Sequence, residues 1–311
     1  MGGMVTWHVD DRPASLRARG YVALMRLARD KQAFEGAERT RRTALDRQRK
    51  GDRPPTLLTR LACRVTTTTI GDLEVWTATA RWRRPVARVL YLHGGGYVHP
   101  LTPDYWRLVR ALVRTPAEVA VPAYPLAPGA TVGQVLPQLT RLAAASTGAD
   151  DLPTVLMGDS AGGALVIVLA QQLRDAGGPQ PAAVVALCPW LDATLDEDEV
   201  AGLEASDPML AESGLRAAGR WWAAERGPAD PSVSPVHGDL SGLPPLHVLI
   251  GDRDILRPAV NTLAARAEGA GAALDVIEVP SMFHVWMTRA IPEGRRTRGL
   301  LRSLVRRSAT D

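Results

Sequence analysis

Ser160 stands in Gly158-Asp159-Ser160-Ala161-Gly162, between the apolar runs of "LPTVLMGD" (152–159) and "AGGALVIVLAQQL" (161–173). A serine hydroxyl is a weak nucleophile unless a base takes its proton. The G-x-S-x-G spacing acquires a mechanism when a strand precedes it and a helix follows. The sharp turn then pushes the serine oxygen outward at the end of the strand. The flanking glycines leave room where side chains would collide. Ala161, first in the helix, aims its N–H at developing negative charge. A plain glycine–serine loop capping a helix has the same letters. It does not call for the apolar strand before and the apolar helix after, so acyl transfer on a serine is the expected chemistry.

The base and its acid must lie further along the chain, because in this strand–turn–helix setting the order is Ser, acid, His. Of six histidines, His8, His93 and His99 precede Ser160. His247 sits inside the apolar run "LHVLI" and reads as a packed strand residue, and His237 in "SPVHGDL" precedes the last acid loops. His284, in "VPSMFHVW", follows the strand-like "ALDVIEV" and is the expected base. The acid orients the imidazole and stabilises its positive charge. The loop "GDRDIL" offers Asp252 and Asp254, and spacing alone does not choose between them. The unused one is expected to form a turn or cap a helix.

An oxyanion needs two or three N–H donors held in place. Ala161 is one candidate. The stretch "LYLHGGGYVHPL" (90–101) ends a strand on an HGGG sequence suited to supplying the others. Gly94 and Gly95 are the expected donors, since no Cβ obstructs an approaching carbonyl. Gly96 is expected to permit the turn, and His93 to brace the loop by hydrogen bonding.

These residues require a scaffold that brings several strand ends together. From Arg64 onward the sequence supplies one. "RVTTTTI" and "LEVWTATA" are β-rich runs separated by Gly71-Asp72, a hairpin signal. "VARVLYLH", "AEVAVPAY", "LPTVLMGD", "PAAVVALCPW", "LPPLHVLIGD" and "ALDVIEV" follow, with helical patterns at "VGQVLPQLTRLAAAS", "AGGALVIVLAQQLRDAGG", "AVNTLAARAEGAG" and the C-terminal 24 or so residues. The expectation is an α/β fold with a mostly parallel eight-stranded sheet covered by helices on both faces. Residues 1–55 are arginine-rich and helix-prone up to the break at "GDRPP". Residues 192 to about 235 exceed an ordinary crossover. The expected organisation is therefore an N-terminal helical cap segment (1–55) and a catalytic domain (56–311) carrying a cap insertion at about 192–235. Trp221 and Trp222 of that insertion read as core or as pocket wall.

Composition narrows the alternatives. The chain has 311 residues, 46% of them hydrophobic, enough for a large core. Its net charge of +4 is scattered, and the densest basic stretches, 39–50 and 295–307, read as solvated helix faces, so no nucleic acid is expected as a partner. Cys63 and Cys188 have neither disulfide-framework nor metal-ligand spacing. The N-terminal stretch lacks a signal-peptide apolar region, and no run has the roughly 18 apolar residues of a membrane span. The expectation is a cytoplasmic protein without stable membrane insertion, binding a small-molecule ester and needing no cofactor or metal. A homodimer is compatible with the sequence.

Together the motifs resemble those of the hormone-sensitive-lipase-like esterases of the α/β-hydrolase superfamily over residues 60–305. The resemblance rests on "HGGGY" (93–97), "YPLAP" (124–128), "GDSAGG" (158–163), "CPWLD" (188–192), "SDPML" (206–210), "LSGLPP" (240–245), "GDRDIL" (251–256) and "FHVW" (283–286). It implies an α/β-hydrolase fold with a helical cap, Ser160 as nucleophile and His284 as base. The family's G-x-x-D-x-L acid pattern falls on Gly251, Asp254 and Leu256, which favours Asp254. Gly94, Gly95 and Ala161 would be the oxyanion donors, and Asp159 would brace the elbow against the glycine loop. Pro125, Gly129 and Pro258 replace polar residues usual in the family, and His99-Pro100 stands where small residues are usual. These departures bear on substrate preference, which the nearest motifs place among acetyl-ester, sterol-ester and lactone hydrolases. The expected activity is a serine carboxylesterase acting on short- to medium-chain esters through an acyl-enzyme. An amide or carbamate hydrolase with the same triad, and a non-catalytic binding module on the same fold, stand as alternatives.

Overall fold

The computed structural model describes residues 4–309. The eight strands expected from the alternation are present: β2 (Arg64–Ile70), β3 (Leu73–Thr79), β4 (Ala87–Leu92), β5 (Ala117–Ala123), β6 (Thr154–Asp159), β7 (Ala183–Leu187), β8 (Leu246–Gly251) and β9 (Leu274–Val279). A further strand, β1 (Val5–Val9), lies in parallel beside β9 and corrects the sheet from eight strands to nine among the described residues. The N-terminal segment therefore opens on a strand, not on a helix; its residues 1–3 lie outside the described residues. The reason is local. "VTWHV" is too short and too polar to announce itself, but Thr6 Oγ1 donates to Asp275 (2.8 Å) and Trp7 Nε1 to Glu278 (3.0 Å), side chains only the folded edge presents.

The spatial order is β1-β9-β8-β7-β6-β4-β5-β3-β2. Every pairing is parallel except β5–β3 and β3–β2, the hairpin turned by Gly71 at φ +60°. β4, β6 and β7 are buried along their whole length, as both-faces-covered parallel strands must be. The helices are α1 (Leu16–Ala28), α2 (Ala37–Arg49), α3 (Leu57–Ala62), α4 (Tyr105–Val113), α5 (Val132–Gly148), α6 (Ala161–Asp175), α7 (Glu199–Glu204), α8 (Glu212–Ala223), α9 (Pro258–Ala270) and α10 (Pro292–Arg307). Helix α6 is apolar nearly all round and lies against β6 and β7. Helix α4, which links β4 to β5 along the chain and which the sequence pattern did not announce, buries Trp106, Leu108, Val109 and Leu112 and packs on β5, β3 and α10.

The insertion supplies α7 and α8. Helix α8 packs on α2 and on the turn Asp30–Phe34 of the N-terminal segment. The approach is close: a Cβ on Gly214 would stand 1.9 Å from the Phe34 carbonyl oxygen. Trp222 is fully buried and stacks on Tyr97 (4.5 Å between ring centres), while Trp221 is half-buried. Both cysteines are buried and free. Among the described residues no helix is long and apolar enough to cross a membrane.

Candidate active site

Ser160 sits between β6 and α6 with φ +53° and ψ −121°, a strained conformation for a non-glycine residue. The turn is held by Ser160 N–H to Leu187 O (2.8 Å) and Trp190 N–H to Ser160 O (2.9 Å). The motif's glycines are required by contact. A Cβ on Gly158 would meet Gly162 O at 2.3 Å, and one on Gly162 would meet Leu92 O at 2.1 Å. The nucleophile turn is thus pressed against the end of β4, its neighbour in the sheet, where Leu92 pairs with Gly158.

The glycine loop leaves that same end of β4. Gly95 (φ +119°) and Gly96 (φ +63°) line the cavity that contains Ser160 and His284, and neither N–H has an acceptor among the described residues. The Gly94 N–H donates to Asp159 Oδ1 (2.9 Å). The physical reason is the proximity of the two turns: Asp159 is followed directly by Ser160, and its carboxylate also accepts from Tyr91 (2.5 Å) and Tyr105 (3.0 Å) hydroxyls. Burial pushes the Asp159 pKa up, although those donors act in the opposite direction. His93 stacks on Tyr124 (4.5 Å), whose hydroxyl donates to the His93 carbonyl (2.6 Å). Its Nδ1 lies 2.7 Å from Gly94 O.

Asp254 and His284 meet across two loops that follow adjacent strands, β8 and β9. Asp254 Oδ2 lies 2.7 Å from His284 Nδ1, both residues buried. Asp254 Oδ1 accepts the Leu256 N–H (3.0 Å). The loops touch because position 251 has no side chain; a Cβ there would meet Met282 O at 2.3 Å. Asp252 takes the other expected part, a turn former, with Oδ1 accepting the Ser281 N–H (2.6 Å). Burial disfavours the His284 imidazolium. The Asp254 charge and hydrogen bond, with the charges of Asp207 and Asp159, outweigh it, so the His284 pKa lies above the ordinary value of 6.5. Ser160 and His284 face one cavity of about 450 Å³ without a hydrogen bond between them in the free protein. Such contacts commonly tighten only when substrate is bound. His237 pairs with Asp192 (2.9 Å) instead, and His247 is a strand residue of β8.

Two residues of the site had no role in the sequence reading. Asp207, in the insertion, is buried and accepts N–H groups from Met209 (2.7 Å), Leu210 (2.9 Å) and, from the acid loop, Ile255 (3.1 Å). Burial and then the Asp254 charge raise its pKa. "SDPML" was visible in the sequence, but a contact across 48 residues was not. His99 is a cavity wall, edge-on to Phe34 (5.1 Å), with neither ring nitrogen bonded to another described residue. Burial, then the Arg47 charge, lowers its pKa to about 3, so the ring is neutral at ordinary pH.

The chain is similar to known proteins. A family model described as the alpha/beta hydrolase fold matches residues 89–288. An acetyl-hydrolase of Streptomyces hygroscopicus is 34% identical over 245 residues, covering 73% of this chain and 79% of that one. A carboxylesterase of Mycobacterium tuberculosis is 28% identical over 281 residues, 83% of this chain and 85% of that one. The crystal structure of an esterase from the bacterial hormone-sensitive lipase family superposes with a TM-score of 0.82 at 26% identity, covering 96% of this chain and all of that one. With its nine-stranded sheet, its strained serine turn and these relatives, the chain belongs to the α/β-hydrolase family, within the hormone-sensitive-lipase-like esterases.

Proposed function

We propose that this serine carboxylesterase works through Ser160, His284 and Asp254. The observation that carries the reading is the buried Asp254–His284 pair facing the same cavity as the strained Ser160. In the proposed cycle His284 Nε2 takes the Ser160 proton as Oγ bonds to the ester carbonyl carbon. Asp254 keeps the remaining ring proton on Nδ1. The tetrahedral oxyanion is met by the N–H groups of Gly95, Gly96 and Ala161, the set left once Gly94 is given to Asp159. Collapse breaks the ester C–O bond and His284 returns its proton to the leaving alcohol. Water, deprotonated by the same ring, then attacks the acyl-enzyme; the acyl–Oγ bond breaks, His284 returns its proton to Ser160 Oγ and the acid leaves. Gly94 and Asp159 hold the donor loop against the nucleophile turn, and His93 braces it from behind.

The acyl chain is short to medium. A cavity of about 450 Å³ supports this, as do relatives named acetyl-hydrolase and carboxylesterase. Residues 1–55 and 192–235 act as the cap, in keeping with the α2–α8 contact. Ser160→Ala should abolish hydrolysis of p-nitrophenyl acetate and butyrate with the unfolding midpoint preserved; retention of most activity would sink the assignment. A panel of esters, lactones and anilides read on the wild type separates the ester reading from an amidase.

A further inference from the structure

We infer that the surface made by α3 and the loop after β3 docks on an anionic phospholipid bilayer. Helix α3 is packed inside out. Its Thr59 is fully buried, whereas Leu57, Leu58 and Leu61 are 74%, 60% and 66% exposed. Residues three and four apart share a helix face, so the three leucines form one patch. The loop Arg81–Arg84 lies beside it, Arg81 Nε donating to the Leu61 carbonyl (3.1 Å). That loop carries Trp82, which is 92% exposed. Arginines 60, 64, 81, 83 and 84 are all exposed, and among the described residues none is in an ion pair. Glu118, which lines the cleft beside Arg64 and Arg81–Arg84, is taken by Arg88 (2.8 Å).

The combination selects the partner. Exposed leucines and an indole match the boundary between headgroups and acyl chains, and arginines among them reach lipid phosphates while their stems stay in the apolar zone. A second copy of the chain fits poorly, since a two-fold contact would set five unpaired arginines against five others. A nucleic acid would satisfy the arginines but offers nothing to three leucines. The patch lies at the edge of the sheet opposite the one that carries Ser160: Arg64 opens β2 beside Thr79, and Ala78 faces Val119 near the start of β5.

The test is co-sedimentation of the full chain with vesicles of phosphatidylcholine alone and of phosphatidylcholine and phosphatidylglycerol in equal parts. The wild type should bind the mixed vesicles only, and lose them at high salt. Each arginine contributes roughly fivefold at such a surface, so Arg83→Gln/Arg84→Gln should weaken partitioning by roughly 25-fold. Leu58→Gln/Leu61→Gln should weaken it by at least about tenfold. Both variants alter exposed residues and should hydrolyse dissolved p-nitrophenyl butyrate at the wild-type rate. Absence of wild-type binding overturns the proposal, as does binding that neither variant weakens. Loss with the arginine variant alone marks a general polyanion site and overturns the bilayer reading. A concentration-dependent dimer abolished by the leucine variant would assign the surface to self-association instead.

Discussion

Asp254→Asn is the sharpest probe of the proposed machinery. Asp254 is wholly buried and its Oδ2 lies 2.7 Å from His284 Nδ1, so the carboxylate fixes a proton on that nitrogen and leaves Nε2 free to accept. An amide can turn its NH₂ to the ring. The proton then moves to Nε2, and the imidazole faces Ser160 with a donor where an acceptor is needed. Asp207 cannot repair this; its charge reaches His284, but it makes no hydrogen bond to the ring. The loss should be about 10⁴-fold in kcat, as for the equivalent change in a serine protease triad, or about 5 kcal/mol of barrier. The assay is steady-state hydrolysis of p-nitrophenyl butyrate at saturation, with circular dichroism to confirm the fold. Asp252→Asn is the control. Its Oδ1 accepts a backbone N–H from Ser281, a bond that an asparagine oxygen can keep, so the loss should stay under about tenfold. Retention of more than about a tenth of kcat in Asp254→Asn, or a larger loss at Asp252, would refute the assignment.

Three further outcomes are expected. The His284 pKa is raised, so the acid limb of kcat/KM should lie above pH 6.5, and Asp207→Asn should move it down; an upward move would contradict the charge argument. The same shift contributes stability that is fully present below the unfolded value of about 6.5 and lost as pH rises through the folded value, so this group stabilises most where the enzyme is least active. Gly95→Ala places a Cβ 2.5 Å from His99 O at φ +119°, and the displaced donor should lower kcat about 10²–10³-fold, measured against the unfolding midpoint to separate it from misfolding. Trp222→Ala should cost about 3–5 kcal/mol in denaturant unfolding, and Trp221→Ala distinctly less, because only Trp222 is fully buried.

What could be read in the sequence depended on whether a residue's role lies in its own backbone. Gly158 and Gly162 announce a turn that tolerates no Cβ, and the apolar runs around them announce the strand and helix, so the Ser160 region was legible in full. The position of His284 followed from chain order and strand ends, which left Asp252 and Asp254 both open; only the resemblance to the family's acid pattern favoured Asp254. The choice among three consecutive glycines did not. Their letters are identical, and only the backbone course and the Asp159 carboxylate 65 residues on decide which N–H remains free. Strand β1 escaped because it gains its stability from side chains on β9, not from its own pattern. Helix α3 escaped because its leucines face the wrong way for a helix defined by a core.

The Asp207 carboxylate has a practical consequence for anyone wishing to alter this enzyme. One of its oxygens closes the turn between α7 and α8, and the other holds the acid loop at Ile255. A segment transplanted from a relative to reshape the pocket would therefore have to keep an aspartate at this position between α7 and α8. A graft that carried this aspartate away would replace the roof and, in the same stroke, slacken a support of the floor.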